Sequence, residues 1–316
     1  MVRLLAGLLF VFACQAQAWP EKPVRIIVPF GPGGSADTLG RLVAQKMSEH
    51  LKASFVVENR GGAGGALGAE LAAKAAPDGY TLVVSGIASH VIAPLLPQGT
   101  PYDPVRDFTH IALFGGPPAV LAVNPSMEAK DLREFVALAK AKPRAFSYGS
   151  PGNGTQGQLV AELFKQRAGI QMVHVPYKGA AGAVTDLMAG HIQVVSTTLT
   201  TAATQIRAGR ARGLAVSAPR RLPDFPEIPT YAEMGYPDLV ATVWFSLSGP
   251  AKMPGDVVGL LNAEVNRALE LPEVRERLKL EGIEPNPMSA REFNAFVAEE
   301  LKRWGPVVKA SGAKND

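Results

Sequence analysis

"VRIIVPFGPGGSADTLGRLVAQKM", residues 24–47, changes character twice within one short span. Val24, Ile26, Ile27 and Val28 make an apolar run of the kind that forms a buried strand, and Leu39 to Met47 has the apolar spacing of an amphipathic helix. Between them lie two prolines, three glycines and then Ser35, Ala36 and Asp37. The first turn of a helix exposes backbone N–H groups that have no partner within the helix, together with a partial positive charge. Glycines let a ligand come close to those groups, so a loop of this kind can act as an anion site. A simpler reading competes with it, in which Ser35 is the N-cap and Asp37 favours the helix dipole.

Recurrence favours the anion reading. "YGSPGNGTQGQL", residues 148–159, again sets Gly, Ser, Asn and Thr between a strand and a helix, and "VPYKGAAGAVTDL", residues 175–187, does so a third time with Tyr177 and Lys178. In open α/β sheets ligands bind beyond the carboxyl ends of the strands. Helix starts from two units would then face one cleft suited to a small anion.

Strand and helix patterns alternate along the chain, which predicts α/β layers on a largely parallel sheet. "SFVVENR" leads into "GGAGGALGAELAAKAA", which "PDG" ends, and "YTLVVSG" leads into "ASHVIAPLL". "PAVLAVNPSM" and "GLAVSAP" are two similar extended strands, each running into a proline, and they bracket an internal α/β unit. They are read as the two crossings of a discontinuous two-domain chain. The expected division is 1–18 signal peptide, 19–123 first part of domain 1, 124–217 domain 2, and 218–316 returning to domain 1. Helices are expected at 255–270, 272–281 and 290–310 in the last part, completing the first domain.

The composition narrows the function. The chain has 316 residues, 47% hydrophobic and 19% charged, enough for sizeable cores. Its net charge of +4 is scattered, and the basic spots "RAGRARG" and "APRRL" hold no aromatic residue for base stacking, so no nucleic-acid partner is expected. "MVRLLAGLLFVFACQAQA" combines one Arg, an apolar run and Ala16-Gln17-Ala18, a cleavage pattern that predicts export to the periplasm with cleavage after Ala18. Cys14, the single cysteine, lies inside that peptide. Phe12 is bulky where lipoprotein signals carry a small residue, so simple secretion is preferred to a lipid anchor at Cys14.

Several catalytic patterns fail on spacing. "GGAGGALG" puts Leu67 where a dinucleotide fingerprint needs its third glycine, and no GxxxxGK[ST] occurs. Tyr148 occupies the first glycine position of a GxSxG elbow around Ser150. His50, His90, His110, His174 and His191 form no zinc spacing, and only His90, in "SGIASH" just after a strand, is placed near the cleft. Neither a metal nor a cofactor is expected.

Seven stretches, in order, resemble one family: "WPEKPVRIIVPFGPGGSADTLGRLVA", "VVENRGGAGGALGAE", "APDGYTLV", "YDPVRDFTHIA", "VPYKGAAGAVTDLMAGHIQVV", "AGRARGLAVSAPRR" and "PEIPTYAEMGYP". This is the Bug or TctC family, the extracytoplasmic solute receptors of tripartite tricarboxylate transporters. The resemblance implies a periplasmic-binding-protein fold of the type II, Venus flytrap kind. Two α/β domains would close around a small carboxylate for delivery to an inner-membrane permease, the receptor acting as a monomer. Carried over onto this chain, the first loop supplies Phe30, Gly33, Gly34, Ser35 and Asp37. "SGIASH" supplies Ser85, Ala88 and His90, "GSPGNGT" supplies Ser150, Gly152 and Thr155, and "PYKG" supplies Tyr177 and Lys178. After "IQVV" the family commonly has an aromatic residue followed by Asp, whereas here stand Ser196, Thr197 and Thr198. Hydroxyls in place of a carboxylate favour an uncharged or purely anionic ligand tail, with Thr198 among the ligand residues. Two other readings are a periplasmic serine hydrolase using Ser150 with His90, and a protein presenting ligand to a sensor.

Export predicts a mature chain that begins at Trp19 and carries no lipid. Intact mass of periplasmic material checks it, and a diacylated species beginning at Cys14 overturns it.

Overall fold

The computed structural model describes residues 19–240, 243–280, 282–283, 285–311 and 313. The expected signal peptide, its cleavage site and Cys14 lie outside the described residues. Two five-stranded sheets organise the chain. The first has the order β2 (Phe55–Asn59), β1 (Val24–Val28), β3 (Thr81–Gly86), β10 (Phe245–Pro250), β4 (Phe108–Gly115). The second has the order β7 (Val173–Pro176), β6 (Ser147–Ser150), β8 (Val194–Thr198), β5 (Ala119–Val123), β9 (Arg212–Val216). The helices are α1 (Ser35–Leu51), α2 (Ala66–Ala73), α3 (Ala93–Leu95), α4 (Leu132–Ala141), α5 (Gln156–Ala168), α6 (Ala180–Ala189), α7 (Leu199–Arg207), α8 (Gly255–Glu270), α9 (Pro272–Leu280) and α10 (Ala290–Ser311).

Both sheets follow one plan. β1 lies parallel between β2 and β3, and β6 lies parallel between β7 and β8. The fourth position in each sheet holds a strand antiparallel to both neighbours, β10 in the first and β5 in the second. The largely parallel sheet expected from strand–helix alternation is therefore mixed. Each antiparallel strand is the one that arrives directly from the other sheet, so it enters from the opposite end.

This arrangement moves the crossings. "PAVLAVNPSM" and "GLAVSAP" were expected to link the domains, with a boundary at residue 123. Instead they supply β5 and β9, neighbours within the second sheet. The crossings are the short runs just before β5 and just before β10, and they lie side by side, with the Val243 N–H donating to the Pro117 carbonyl at 3.1 Å. The segment after residue 217, expected to return at once, stays on the second sheet. The Val216 N–H donates to Pro229 O and the Tyr231 N–H to Val216 O, covering the open edge of β9. Phe225 and Ile228 are buried in that sheet's apolar cluster.

The terminal helices α8 and α10 pack on the first sheet. In α8, Asn262 Nδ2 donates to the Ile111 carbonyl of β4 at 2.7 Å, and in α10 buried Glu300 accepts from Trp244 Nε1 at 2.9 Å. Among the described residues, no helix is long and apolar enough to cross a membrane.

Gly116 marks the tightest point of the paired crossings, since a Cβ there would lie 2.1 Å from the Val243 carbonyl oxygen. Gly116→Ala should therefore lower the free energy of unfolding by about 1–3 kcal/mol. Gly259, exposed in α8 with nothing within 4 Å of a Cβ, should give the opposite sign, Gly259→Ala stabilising by about 0.5–1 kcal/mol. Urea denaturation of the two variants checks the pair.

Candidate functional site

Because β6, β7 and β8 are parallel, their carboxyl ends share one edge, and α5, α6 and α7 all begin there. α1 begins at the corresponding edge of the first sheet, after β1. The two edges meet across a small cavity. Its walls include Gly34, Ser35 and Ala36 at the start of α1, and Thr155, Gln156 and Gly157 at the start of α5. Ala180 opens α6 beside it, and Thr197 and Thr198 lead into α7. Phe30, Ile87, Ala119, Val243 and Phe245 make an apolar remainder, and the wall holds no charged side chain among the described residues.

The cap at α1 is Gly34, with no side-chain hydrogen bond, so Ser35 is the first helical residue and not the N-cap. Ser35 Oγ lies 2.6 Å from Thr198 Oγ1, its contact across the cleft. Asp37 explains why Ser35 is released. Its carboxylate accepts from the Gly33 N–H at 3.0 Å, from Asn59 Nδ2 at 2.9 Å and from Arg41 Nε at 3.0 Å. Burial pushes the Asp37 pKa up, but the hydrogen bonds from Arg41, Gly33 and Asn59, with the Arg41 charge, outweigh it and hold the group below the usual range. α6 and α7 likewise start without a side-chain cap, at Gly179 and Thr198. At α5, Thr155 caps Gln158 N–H and donates to Gly152 O at 2.7 Å.

The lips of the cleft touch through main chain. The Gly31 N–H donates to the Lys178 carbonyl at 3.0 Å. Gly64, at φ +61°, approaches so closely that a Cβ would lie 2.4 Å from the Asn153 carbonyl oxygen. Together with the Ser35–Thr198 contact, these define a closed cleft.

Six expected residues line the cavity: Phe30, Gly34, Ser35, Ala88, Thr155 and Thr198. The others lie away from it. Gly33 and Asp37 shape the loop behind it. Ser85 is buried in a hydroxyl cluster with Ser246 and Ser248, at 2.6 Å from each. His90 is buried behind the wall, its ring centroid 4.4 Å from Phe108 and 5.7 Å from His110. Burial and the His110 ring together hold its pKa well below the usual value, so it is neutral at pH 7. Ser150 is fully buried and bonds His174 Nε2 at 2.6 Å, so the pairing with His90 is not formed. Gly152 supplies the φ of +138° that the loop requires. Tyr177 OH donates to Asp186 at 2.5 Å, and Lys178 offers its carbonyl while its side chain is exposed.

Sequence reasoning missed Gln156, Thr197, Ile87, Val243 and Phe245. Gln156 had a usable signal: it holds the same first-helical position in "GNGTQG" that Ser35 holds in "PGGSAD". Val243 and Phe245 had none, because they come from the second crossing, about 200 residues after the first loop.

Comparison with known proteins agrees with this fold. Protein BugT of Bordetella pertussis (strain Tohama I) is 35% identical over 322 residues, covering 99% of this chain and 99% of that one. A solved structure described as a periplasmic transporter superposes with a TM-score of 0.91 at 41% identity, covering 94% of this chain and 99% of that one. Rpa4515 of R. palustris, solved with adipate, gives 0.90 at 34% identity over 94% and 99%. The family described as "Tripartite tricarboxylate transporter family receptor" matches residues 39–313, and the chain belongs to that family.

Proposed function

We propose that the protein captures a small carboxylate in the closed cleft in the periplasm and delivers it to the permease of a tripartite transporter, acting as a monomer after removal of residues 1–18. One observation carries this reading: α1, α5, α6 and α7 all begin at a cavity whose walls hold no charged side chain. Backbone N–H groups and helix dipoles therefore supply the anion affinity, as helix starts do elsewhere. The adipate bound by Rpa4515 supports a carboxylate ligand. Hydrolysis is the weaker reading, since Ser150 does not line the cavity and His90 lies behind its wall. The family favours delivery to a permease over presentation to a sensor.

A ligand that binds only the folded state adds about 2.7 kcal/mol of stability at a hundredfold excess over Kd. A fitting mono- or dicarboxylate should raise the melting temperature by several degrees, and its amide should not. With no titrating group in the wall, calorimetric affinity should stay flat from about pH 6 to 8 and fall only as the ligand protonates, near pH 4–5. Equal shifts from acid and amide would remove the anion site.

Closure supplies a second test. Strain from a side chain at the positive φ of Gly64 is the same whether the cleft is open or closed, but the clash with Asn153 exists only when it is closed. Gly64→Ala should weaken ligand binding by roughly tenfold or more, while the ligand-free variant loses only about 1 kcal/mol of stability. Calorimetry and ligand-free melting, read side by side, separate the two effects.

A further inference from the structure

Two polar side chains in the cavity wall have no partner. Gln156 is 3% exposed, and neither its Nε2 nor its Oε1 meets a hydrogen-bond partner among the described residues. Thr197 is fully buried and its Oγ1 is in the same position. Both line the cleft from the second domain. The loop around them is otherwise well satisfied. Thr155 Oγ1 donates to Gly152 O, Gln158 Oε1 accepts from the Gly154 N–H, and Ser196 Oγ donates to Gly157 O at 2.7 Å. Poor local packing therefore does not account for the orphans, and buried polar atoms of this kind are rare unless something else completes them.

The missing partner has a definite chemistry. A carboxylate accepts hydrogen bonds and has no proton to give, so it can satisfy Nε2 but never Oε1. Turning the amide over changes nothing, since both its ends lie unpartnered. Oε1 requires a donor. An ammonium group is a poor candidate, because the wall has no carboxylate to balance it and four helix N-termini oppose a cation. An alcohol both donates and accepts without charge.

We propose that this cleft selects carboxylates that also carry a hydroxyl group, with Gln156 as the residue that reads it. Gln156 Oε1 accepts from the hydroxyl, Nε2 donates to it or to the adjacent carboxylate, and Thr197 Oγ1 completes the polar wall. The proposal rests on the carboxylate reading above and narrows it. A deoxy acid brings no donor to Oε1, and sites built to pair a polar group discriminate most strongly against analogues that lack it.

Calorimetry on the mature chain tests it with pairs matched in carbon skeleton: lactate and propionate, 3-hydroxybutyrate and butyrate, malate and succinate, 4-hydroxybenzoate and benzoate. In the pair whose skeleton fits, the hydroxy acid should bind roughly tenfold to a hundredfold more tightly. Gln156→Leu should bring that ratio near one by weakening the hydroxy acid alone, and Thr197→Val should reduce it less. Ratios near one for every pair that binds would overturn the proposal while leaving the carboxylate site standing. So would a ratio that survives Gln156→Leu. Binding by no acid in the panel would overturn both. The wild-type ratio needs no variant, so the test holds even if Gln156→Leu does not fold.

Discussion

The N-cap residues of α1, α6 and α7 make no side-chain hydrogen bond to the first turn, and the fold brings these three helix starts together at one cavity. The backbone amides of those first turns are fixed donors whose orientation is set by helices held on strands, so little reorganisation accompanies binding. Most helix starts are closed by Ser, Thr, Asp or Asn. Here that chemistry is redirected: Asp37 holds the loop through Gly33, Asn59 and Arg41, which leaves the Ser35 hydroxyl to reach Thr198 in the other domain. One carboxylate placed behind the loop thus keeps the wall uncharged while shaping it.

The remaining architecture serves that convergence. Each sheet takes its antiparallel strand from the crossing, so the two crossings run side by side and hydrogen-bond at Pro117 and Val243. Paired short links of this kind are the hinge arrangement of proteins that close on a ligand. At the opposite lip the contact is main chain to main chain, Gly31 to Lys178 and Gly64 to Asn153. Side chains there would hold the lips apart, which gives the glycines of "FGPGG", "RGGAGG" and "YKGAAG" a reason beyond loop flexibility.

Residues with a local signature were legible. Gly34, Ser35 and Thr155 stand between a strand and a helix, and that position together with the family resemblance marked them as cleft residues. Some residues carried over from the family resemblance stand apart from the cavity. His90, Tyr177 and Lys178 have polar groups suited to ligands, yet these turn inward to the core, to Asp186 or to solvent. Gln156 was not named from the sequence. Its significance appears only once both its polar atoms are seen to be buried.

By itself, the sequence determined the α/β alternation, the placement of the helix starts, the two-domain plan and the family. Each of these depends on patterns within some 20 neighbouring residues or on ordered motifs. Tertiary structure decided where the chain changes sheets, because β5 and β9 have the composition of linkers and of buried strands alike, and only pairing distinguishes them. It also decided the apolar wall from Ile87, Val243 and Phe245, and which polar groups were left without partners. Those properties belong to contacts between residues far apart in the chain, and no local pattern encodes whether a hydrogen bond is met.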